Sequence, residues 1–466
     1  MKYQSPRIYN LFPRLLGAIN HWYKHIERIN EMDFNWVYLN PLNFAGFSGS
    51  LYATKDPFKF NPLFTPTEKA SDPYSWEPLK NFIQECHQHN LKFMMGLIIN
   101  HISIDSYLLT EHKSWFKKKW ALLEKYTRLP IKFFEGDKMP DVKEYSRDEY
   151  ILEYTLAHPY AIDPNDARQV TIYGDQVELD YENPNVYREI IDYWKEYFDF
   201  ILDLGIDGFR CEAAYQIPHD AWEELISYVR NKNQDVLFLA DTLGCSLEQC
   251  RNISDAGFDY IHSSSKWWDY KESWLIEQYN EFRQHAPSVS FPESHETKRV
   301  AEETNGNEKI QIFRYLFAAF FSAGVLMPLG YEYGFKTQLD VVEMKPSDWE
   351  TKKFDISNEI RKINEFKQQY RCLNEDGKII RKPYEDENIL LLRKTSKDEK
   401  QHFLLIYNKD WNNFHKVHIS NLGEILDLNA SIYRVFINKD TRELKKPIFN
   451  ENLNPNEYVL LFQKVD

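Results

Sequence analysis

Long hydrophobic runs are missing from this sequence. No stretch of its 466 residues is long enough and apolar enough to cross a bilayer. Residues 1–20 also lack the charged and then apolar layout of a secretory signal. We therefore expect a protein that does not enter a membrane and that works in the cytoplasm, although this pattern does not test export by a signal of another kind.

Cysteine is scarce and irregularly placed. The chain has five cysteines, which are Cys86, Cys211, Cys245, Cys250 and Cys372. Their odd number and scattered spacing in a long chain predict reduced, mostly buried thiols. Cys245 and Cys250 are close enough in sequence to form half of a zinc site, but no second cysteine pair completes it. We expect no metal and no other cofactor.

Positive charge is in deficit. The chain has 57 Lys and Arg against 71 Asp and Glu, which gives a net charge of −14. Nucleic acids are bound mainly by Lys and Arg that neutralise phosphates, so we do not expect DNA or RNA as a partner. A neutral polymer is compatible with this charge.

Aromatic residues are abundant, with 30 Tyr and 31 Phe in a chain that is 16% aromatic. A large core explains most of them. A cleft that binds sugar would also use such rings, since the apolar face of a pyranose stacks on them. Composition does not separate these two interpretations.

Short apolar runs alternate with helical patterns over most of the chain. The clearest helical pattern lies in Asn185–Gly205, where apolar residues recur at helix spacing and Gly205 ends the pattern. Eight alternating strands and helices predict an α/β fold, a (β/α)8 TIM barrel. The predicted strands are Arg7–Leu11, Trp36–Leu39, Lys92–Ile99, Ile206–Cys211, Val236–Ala240, Phe258–Ile261, Ser288–Phe291 and Val325–Leu329.

Two parts of the chain depart from this alternation. Residues 101–180 form too long an interval for one helix, which predicts an inserted domain after the third strand. Residues 376–466 hold strand patterns without helices between them, which predicts a C-terminal antiparallel β domain. The barrel would then comprise residues 1–100 and 181–375. The predicted C-terminal strands are Ile389–Arg393, His402–Tyr407, Lys416–Ile419, Ile432–Phe436 and Tyr458–Phe462.

Polar residues follow several of the predicted barrel strands, where TIM barrels place catalytic groups. They are Asn100, His101, Arg210, Glu212, Asp241, His295 and Glu296. Taken singly, each has a local explanation, such as a capped turn at Asn100-His101, an ion pair of Arg210 with Glu212, or a turn cap at Asp241. Their joint occurrence at the ends of four strands favours a common site.

The motifs around these residues resemble those of the α-amylase superfamily, glycoside hydrolase family 13, over nearly the whole chain. Asn100-His101 matches the Asn-His end of the third-strand motif. Gly208–Glu212 is similar to the fourth-strand motif Gly-Phe-Arg-x-Asp. Asp241 stands where the fifth-strand motif has Glu, and His295-Glu296 is similar to the seventh-strand His-Asp.

Three further stretches carry the same resemblance. Leu179–Tyr181 looks like the stretch that closes the inserted domain in that family. Tyr52 with Asp56 resembles the tyrosine platform that follows the second strand. Gly334–Glu350 is similar to bacterial members related to maltosyltransferases.

The resemblance implies a retaining mechanism, in which one carboxylate attacks the anomeric carbon and another protonates the leaving oxygen. By position, Glu212 would be the nucleophile and Asp241 the acid and base. Glu296 would stabilise the distorted sugar through its hydroxyl groups. Arg210 would hold the nucleophile ionised.

The resemblance also implies residues that bind substrate. His101 and His295 would donate hydrogen bonds to the sugar, and Tyr52 would stack on its ring, unless Tyr52 only packs. We expect Asn100 to bind substrate beside these residues. The family often binds calcium near this Asn, but no set of oxygen ligands is evident from the sequence.

The sequence departs from the family pattern at the acidic positions. Asp, Glu and Asp of the family become Glu212, Asp241 and Glu296, so every carboxylate is kept with a changed length. One methylene moves a carboxyl by about 1.5 Å, and a misplacement of about 1 Å can cost a hundredfold in rate. Gly96 stands where the family has Asp, so we expect Arg210 to lack a partner and Glu212 to be less well oriented.

These features predict a retaining, amylase-like glycoside hydrolase that cleaves α-1,4-glucosidic bonds of glycogen or starch. Its partner would be an α-glucan polysaccharide or a maltooligosaccharide. One alternative is an α-glucan glycosyltransferase or maltosyltransferase that passes the sugar to another acceptor. A second is a glucan-binding pseudoenzyme, because the carboxylate triad is altered. The oligomeric state stays open.

Overall fold

Eight parallel strands close into a barrel in this computed structural model, which describes residues 3–66, 72–136, 138–162, 170–427, 429–438 and 440–465. Each strand pairs with its neighbours in chain order, and the eighth pairs with the first. The strands are β1 (Arg7–Asn10), β2 (Trp36–Leu39), β3 (Lys92–Leu97), β4 (Gly208–Cys211), β5 (Leu237–Ala240), β6 (Tyr260–His262), β7 (Ser288–Ser290) and β8 (Gly324–Pro328). The predicted TIM barrel is confirmed.

The barrel strands are short because their apolar runs are short. A buried cluster of Ile8, Tyr38, Met94, Leu239 and Val289, drawn from five different strands, contributes to the packed interior. Branched and aromatic side chains of this kind fill a parallel barrel and drive its closure by burial. Each of the eight predicted runs overlaps one barrel strand, and the predicted ends differ from the observed ends by at most two residues.

Helices alternate with these strands around the barrel. The predicted helix in Asn185–Gly205 spans Tyr187–Leu202, buries Trp194 and Phe198, and is followed by Gly205 with a φ of 92°. Among the described residues, no helix has the length and apolar character needed to cross a membrane. The α-helices are Pro13–Leu16, Ile26–Glu31, Glu77–Gln88, Tyr107–Glu111, Tyr187–Leu202, His219–Lys232, Leu247–Ser254, Trp274–Phe282, Val300–Glu303, Glu308–Phe321 and Ser357–Lys367.

The chain between β3 and β4 forms small antiparallel sheets instead of a helix alone. A three-stranded sheet is built on the central strand Lys118–Glu124. The other strands here are His101–Ser103, Pro130–Phe134, Tyr150–Leu156, Tyr160–Ile162, Val170–Ile172 and Gln176–Glu178. A separate hairpin after β2 joins Asn43–Ala45 to Thr54–Phe60. The boundaries predicted for an inserted domain stay a prediction.

The C-terminal part is antiparallel, as predicted. A six-stranded sheet and a two-stranded sheet contain all five predicted strands and three that the patterns missed, Ile379–Lys382, Thr441–Glu443 and Phe449–Leu453. The five are Ile389–Thr395, Gln401–Asn408, His415–Ile419, Ile432–Val435 and Tyr458–Lys464. The sheet packs on helix Glu308–Phe321, where the rings of Phe313 and Tyr407 stack at 3.5 Å between centroids.

The mouth of the barrel is tightly packed at Gly96 in β3. A Cβ atom at this position would lie 2.6 Å from Cδ and 3.0 Å from the backbone N of Pro41. Pro41 therefore occupies the space that a side chain at residue 96 would need. The glycine therefore has a structural role besides removing a carboxylate. Because residue 96 has no side chain, the loop after β2 can pack against β3.

We expect Gly96→Ala to destabilise the fold by about 1–3 kcal/mol, because the new methyl group overpacks this contact. Urea denaturation followed by circular dichroism measures the change. Gly174→Ala is the matched control, since nothing lies within 4 Å of a Cβ built there. Equal stability of the two variants would contradict the steric argument.

Candidate active site

The ends of three barrel strands bring the predicted carboxylates together. Glu212 directly follows β4, Asp241 directly follows β5, and Glu296 lies on the loop after β7. Each offers a carboxylate oxygen, and the three oxygens lie within 4.8 Å of one another. The convergence follows from the parallel barrel, since all its strands end at the same mouth.

Arg210 lies at the centre of this group. It is 2% exposed, its Nη1 donates to Glu212, and its Nη2 donates to Asp241 at 2.9 Å and to Glu296 at 3.2 Å. We expected the glycine at residue 96 to leave Arg210 short of a partner. The guanidinium has three carboxylate partners in this structure, so it is not isolated without an acid at residue 96.

Asp241 is the most firmly held of the three. Its Oδ2 accepts from Arg210, and its Oδ1 accepts from Nδ1 of His262 at 3.1 Å and from the backbone N of Leu243 at 3.2 Å. Burial raises the pKa of Asp241, but Arg210 and His262 outweigh burial and hold this pKa well below its ordinary value. Asp241 is therefore ionised, and it caps its turn as well as facing the site.

Glu212 carries the opposite shift. Burial raises its pKa to about 8, and the nearby Asp241 and Glu296 add to the shift against the attraction of Arg210. Burial and Asp241 also raise the pKa of Glu296. We expected Arg210 to keep Glu212 ionised, and burial and the two neighbouring acids oppose Arg210 in this. One guanidinium is shared among three carboxylates, of which Asp241 is buried, Glu212 is partly buried and Glu296 is 36% exposed.

Tyr52 and His295 form a stacked pair at the side of the carboxylates. Their ring centroids are 5.5 Å apart at an interplanar angle of 11°, and the Tyr52 hydroxyl lies 2.8 Å from Nε2 of His295. Asn40 donates to the same hydroxyl at 3.0 Å, so the hydroxyl proton is free to point at His295. Burial and Arg210 lower the pKa of His295 well below its ordinary value, so the ring is neutral.

His101 and Asn100 leave buried acceptors without partners. Nε2 of His101 lies 2.9 Å from the Tyr52 carbonyl, and burial lowers its pKa to about 4. In that neutral ring Nε2 donates, so Nδ1 is an acceptor with no partner among the described residues. Asn100 donates to Gln216 at 2.6 Å, and its Oδ1 is likewise unpaired there. His101 thus offers an acceptor where we expected a donor.

A cleft of about 510 Å³ is lined by the three carboxylates and by Tyr52, Asn100, His101 and His295, but not by Arg210, Asn40 or His262. Its walls come from the β3–β4 connection, which supplies Tyr160 and Tyr173, and from residues 338–342 of the segment resembling maltosyltransferase relatives. The sequence analysis missed the roles of Asn40, His262 and Tyr215. His262 ends a barrel strand, so the rule applied to the other strands would have found it. The same rule would have found Asn40, which directly follows β2. Tyr215 carries no such signal.

Comparisons with known proteins show which enzymes the chain is similar to. A family model described as "Glycogen debranching enzyme, glucanotransferase domain" matches residues 1–115. An α-1,4-glucan:maltose-1-phosphate maltosyltransferase from Burkholderia pseudomallei is 21% identical over 389 residues, or 80% of this chain and 30% of that protein. The resemblance to the α-amylase superfamily is confirmed.

Further relatives in the superfamily include an intracellular maltogenic amylase from Bacillus subtilis, 22% identical over 82% of this chain and 60% of that protein. An α-amylase structure from Geobacillus thermoleovorans superimposes with a TM-score of 0.71 at 17% identity, covering 100% of both chains. The chain spans between 30% and 65% of the length of the first two curated relatives. Its homologues and structural neighbours are enzymes of the α-amylase type.

By distance, Glu212, Asp241 and Glu296 could hold an ion. Arg210 already places a positive charge against all three, and a second cation there would be repelled by it. A second group in the described part of the chain, around Glu223, also has suitable distances but is largely exposed. The donor set beside Arg210 does not fit a resident metal.

We expect Glu212→Gln to stabilise the protein above neutral pH. The unfolded chain ionises Glu212 near its ordinary pKa of about 4.3, while the folded chain keeps the proton up to about pH 8. Between these values the unfolded state binds fewer protons, so wild-type stability falls as pH rises.

Glu212→Gln cannot lose this proton, so its stability does not fall with pH for this reason. At pH 8 we expect its free energy of unfolding to exceed that of the wild type by about 1–3 kcal/mol, and at pH 4 to equal it. Urea denaturation at both pH values measures this difference. Glu385→Gln, at an exposed carboxylate, is the control and should show no such pH-dependent gain. A Glu212→Gln gain that is the same at both pH values argues against a protonated Glu212.

Proposed function

We propose that this chain cleaves α-1,4-glucosidic bonds of glycogen-like or starch-like α-glucans with retention of configuration. The observation that carries the proposal is the separation of the three carboxylates, whose oxygens lie within 4.8 Å of one another. Retaining glycosidases hold their two carboxyl groups about 5–5.5 Å apart, while inverting enzymes need about 6.5–9.5 Å to admit a water molecule.

The cleft supports a sugar polymer as the substrate. Its volume of about 510 Å³ is open to a short oligosaccharide, and Tyr160, Tyr173 and Tyr215 on its walls offer rings for stacking. The unpaired acceptors on Asn100 and His101 would accept from sugar hydroxyl groups. A relative from Bacillus subtilis is named an intracellular maltogenic amylase, and we propose the cytoplasm for this chain as well.

In this mechanism Glu212 attacks the anomeric carbon, Asp241 protonates the leaving oxygen, and Glu296 holds the sugar hydroxyl groups. The first step needs an ionised Glu212 and a protonated Asp241. The pKa shifts favour the reverse in the free protein. One proton must therefore pass from Glu212 to Asp241 before attack, and each pKa unit between them adds about 1.4 kcal/mol to the barrier. We propose slow cleavage for this reason.

Asp241→Glu tests this explanation of slow cleavage. The added methylene moves the carboxyl outward by about 1.5 Å, away from Arg210 and His262 and toward the leaving oxygen. We expect kcat on maltooligosaccharides to rise at least tenfold, measured by reducing-end release. A lower kcat would mean that the short Asp241 is matched to the long Glu212, and the triple variant Glu212→Asp, Asp241→Glu, Glu296→Asp would then regain activity.

The activity itself is tested with glycogen and maltooligosaccharides. We expect release of sugars that are initially in the α-anomeric form, as followed by NMR. We expect Glu212→Gln to abolish this release. Glu385→Gln is the control for a neutralised carboxylate elsewhere. Glucan binding without any product would replace the proposal with the pseudoenzyme alternative.

Transfer is the second candidate, favoured by the glucanotransferase model that matches residues 1–115 and by the maltosyltransferase relative. It shares the covalent intermediate on Glu212 and differs only in the acceptor. Incubation of maltooligosaccharides with excess maltose or with inorganic phosphate separates the two. Lengthened chains or a sugar phosphate would identify a transferase, and shortened chains alone a hydrolase.

A further inference from the structure

A second pocket lies between the barrel and the C-terminal sheet. Its volume is about 300 Å³, and it shares no lining residue with the carboxylate cleft. The loop after β6, the helix Glu308–Phe321 and the C-terminal strands all contribute to it. The lining residues are Asp269, Tyr270, Lys271, Ile310, Arg314, Asn388, Tyr407, Lys409 and Trp411.

The pocket is positively charged although the protein as a whole carries −14. Lys271, Arg314 and Lys409 line it against a single acid, Asp269. That carboxylate is engaged by the backbone, accepting from the N of Lys271 at 2.8 Å and from the N of Glu272 at 3.2 Å. Among the described residues, none of the three cations has a carboxylate within ion-pair distance. Three cations against one acid around one cavity favour an anionic occupant.

Two polar groups of the pocket are buried without a hydrogen bond of good geometry. Nζ of Lys409 has no hydrogen-bond acceptor among the described residues, and burial lowers its pKa, with Arg381 and Lys271 adding to the effect. Tyr270 is 6% exposed, and in the same part of the chain its hydroxyl makes no hydrogen bond of good geometry and has only a weak contact with Arg314. An unsatisfied buried group destabilises a fold, so such groups in a cavity indicate a ligand that would pair with them.

The backbone at Tyr270 is strained as well. Its φ is 64°, in the left-handed region that bulky residues rarely adopt. This conformation places the ring against Arg314, whose guanidinium carbon lies 5.1 Å from the ring centroid. Strain of this kind is typical of sites that are shaped for a ligand.

The rim of the pocket adds an exposed aromatic ring. Trp411 is 47% exposed and lies two residues after Lys409. An indole face open to solvent beside cationic groups matches a ligand that has an apolar sugar face and an anionic group. The guanidinium of Arg314 suits a phosphate in particular, because its planar donors match the oxygens of that group.

We propose that this pocket binds a phosphorylated sugar, with its phosphate between Lys409 and Arg314 and its ring against Trp411. The site is separate from the proposed glucan cleavage and does not rest on it. A ligand held there contacts both the barrel and the C-terminal sheet, so its binding stabilises the folded protein in proportion to its concentration.

Isothermal titration calorimetry and thermal melts test the proposal with glucose 6-phosphate, inorganic phosphate and glucose as probes. We expect glucose 6-phosphate to bind saturably and raise Tm, inorganic phosphate to bind at least fivefold more weakly, and glucose not to bind at this site. Equal affinities for glucose 6-phosphate and inorganic phosphate would overturn the sugar contact. No binding of either would overturn the site.

Variants assign the binding to this pocket. Lys409→Gln should weaken glucose 6-phosphate binding at least tenfold, and should also raise Tm without ligand because it removes an unpaired buried ammonium group. Lys445→Gln makes the same charge change at an exposed position and should alter neither value. Unchanged binding in Lys409→Gln overturns the proposal.

Trp411→Ala separates the two halves of the ligand. Its side chain is half-exposed, so the variant should fold as the wild type does. We expect at least a fivefold loss of glucose 6-phosphate affinity with the phosphate affinity retained. Glu212→Gln, in the other cleft, should leave glucose 6-phosphate binding intact. If Glu212→Gln abolished this binding, the ligand would be assigned to the carboxylate cleft and the proposal would be overturned.

Discussion

The Arg210 guanidinium contacts three carboxylates, and the chemistry of the cleft follows from that sharing. One positive charge offsets only part of the mutual repulsion among three ionised acids. The pKa of Asp241 is lowered because His262 donates to this carboxylate in addition to Arg210. Burial raises the pKa of Glu212 and of Glu296. The shifts therefore favour a proton on Glu212 over a proton on Asp241, the reverse of what the mechanism we propose needs for its first step.

The barrel could be predicted from the sequence because its strands are apolar runs separated by amphipathic helices. Both patterns are visible in the order of apolar and polar residues along the chain. The strand ends could not be fixed, since they depend on which backbone groups find partners across the barrel. Three C-terminal strands were missed for a related reason. Thr441–Glu443 is fully exposed and Phe449–Leu453 is mostly polar, so neither shows the alternation by which a half-buried strand is recognised.

The site could be predicted as far as its residue types allowed. Strand ends and motifs identified Glu212, Asp241 and Glu296, and the structure brings them together. Their protonation could not be predicted, because it depends on burial and on how many acids share Arg210. The second pocket could not be predicted either, since Tyr270 and Lys409 lie far apart in sequence and meet only through the packing of the sheet on the barrel.

The contact between Gly96 and Pro41 links two positions that motif comparison treats separately. A Cβ atom at residue 96 would lie 2.6 Å from Cδ of Pro41, so any larger residue there requires Pro41 or the backbone around it to shift. Placing an aspartate at residue 96 would therefore displace the loop after β2 as well as add a charge. The steric effect of such a variant would have to be separated from its electrostatic effect on Arg210.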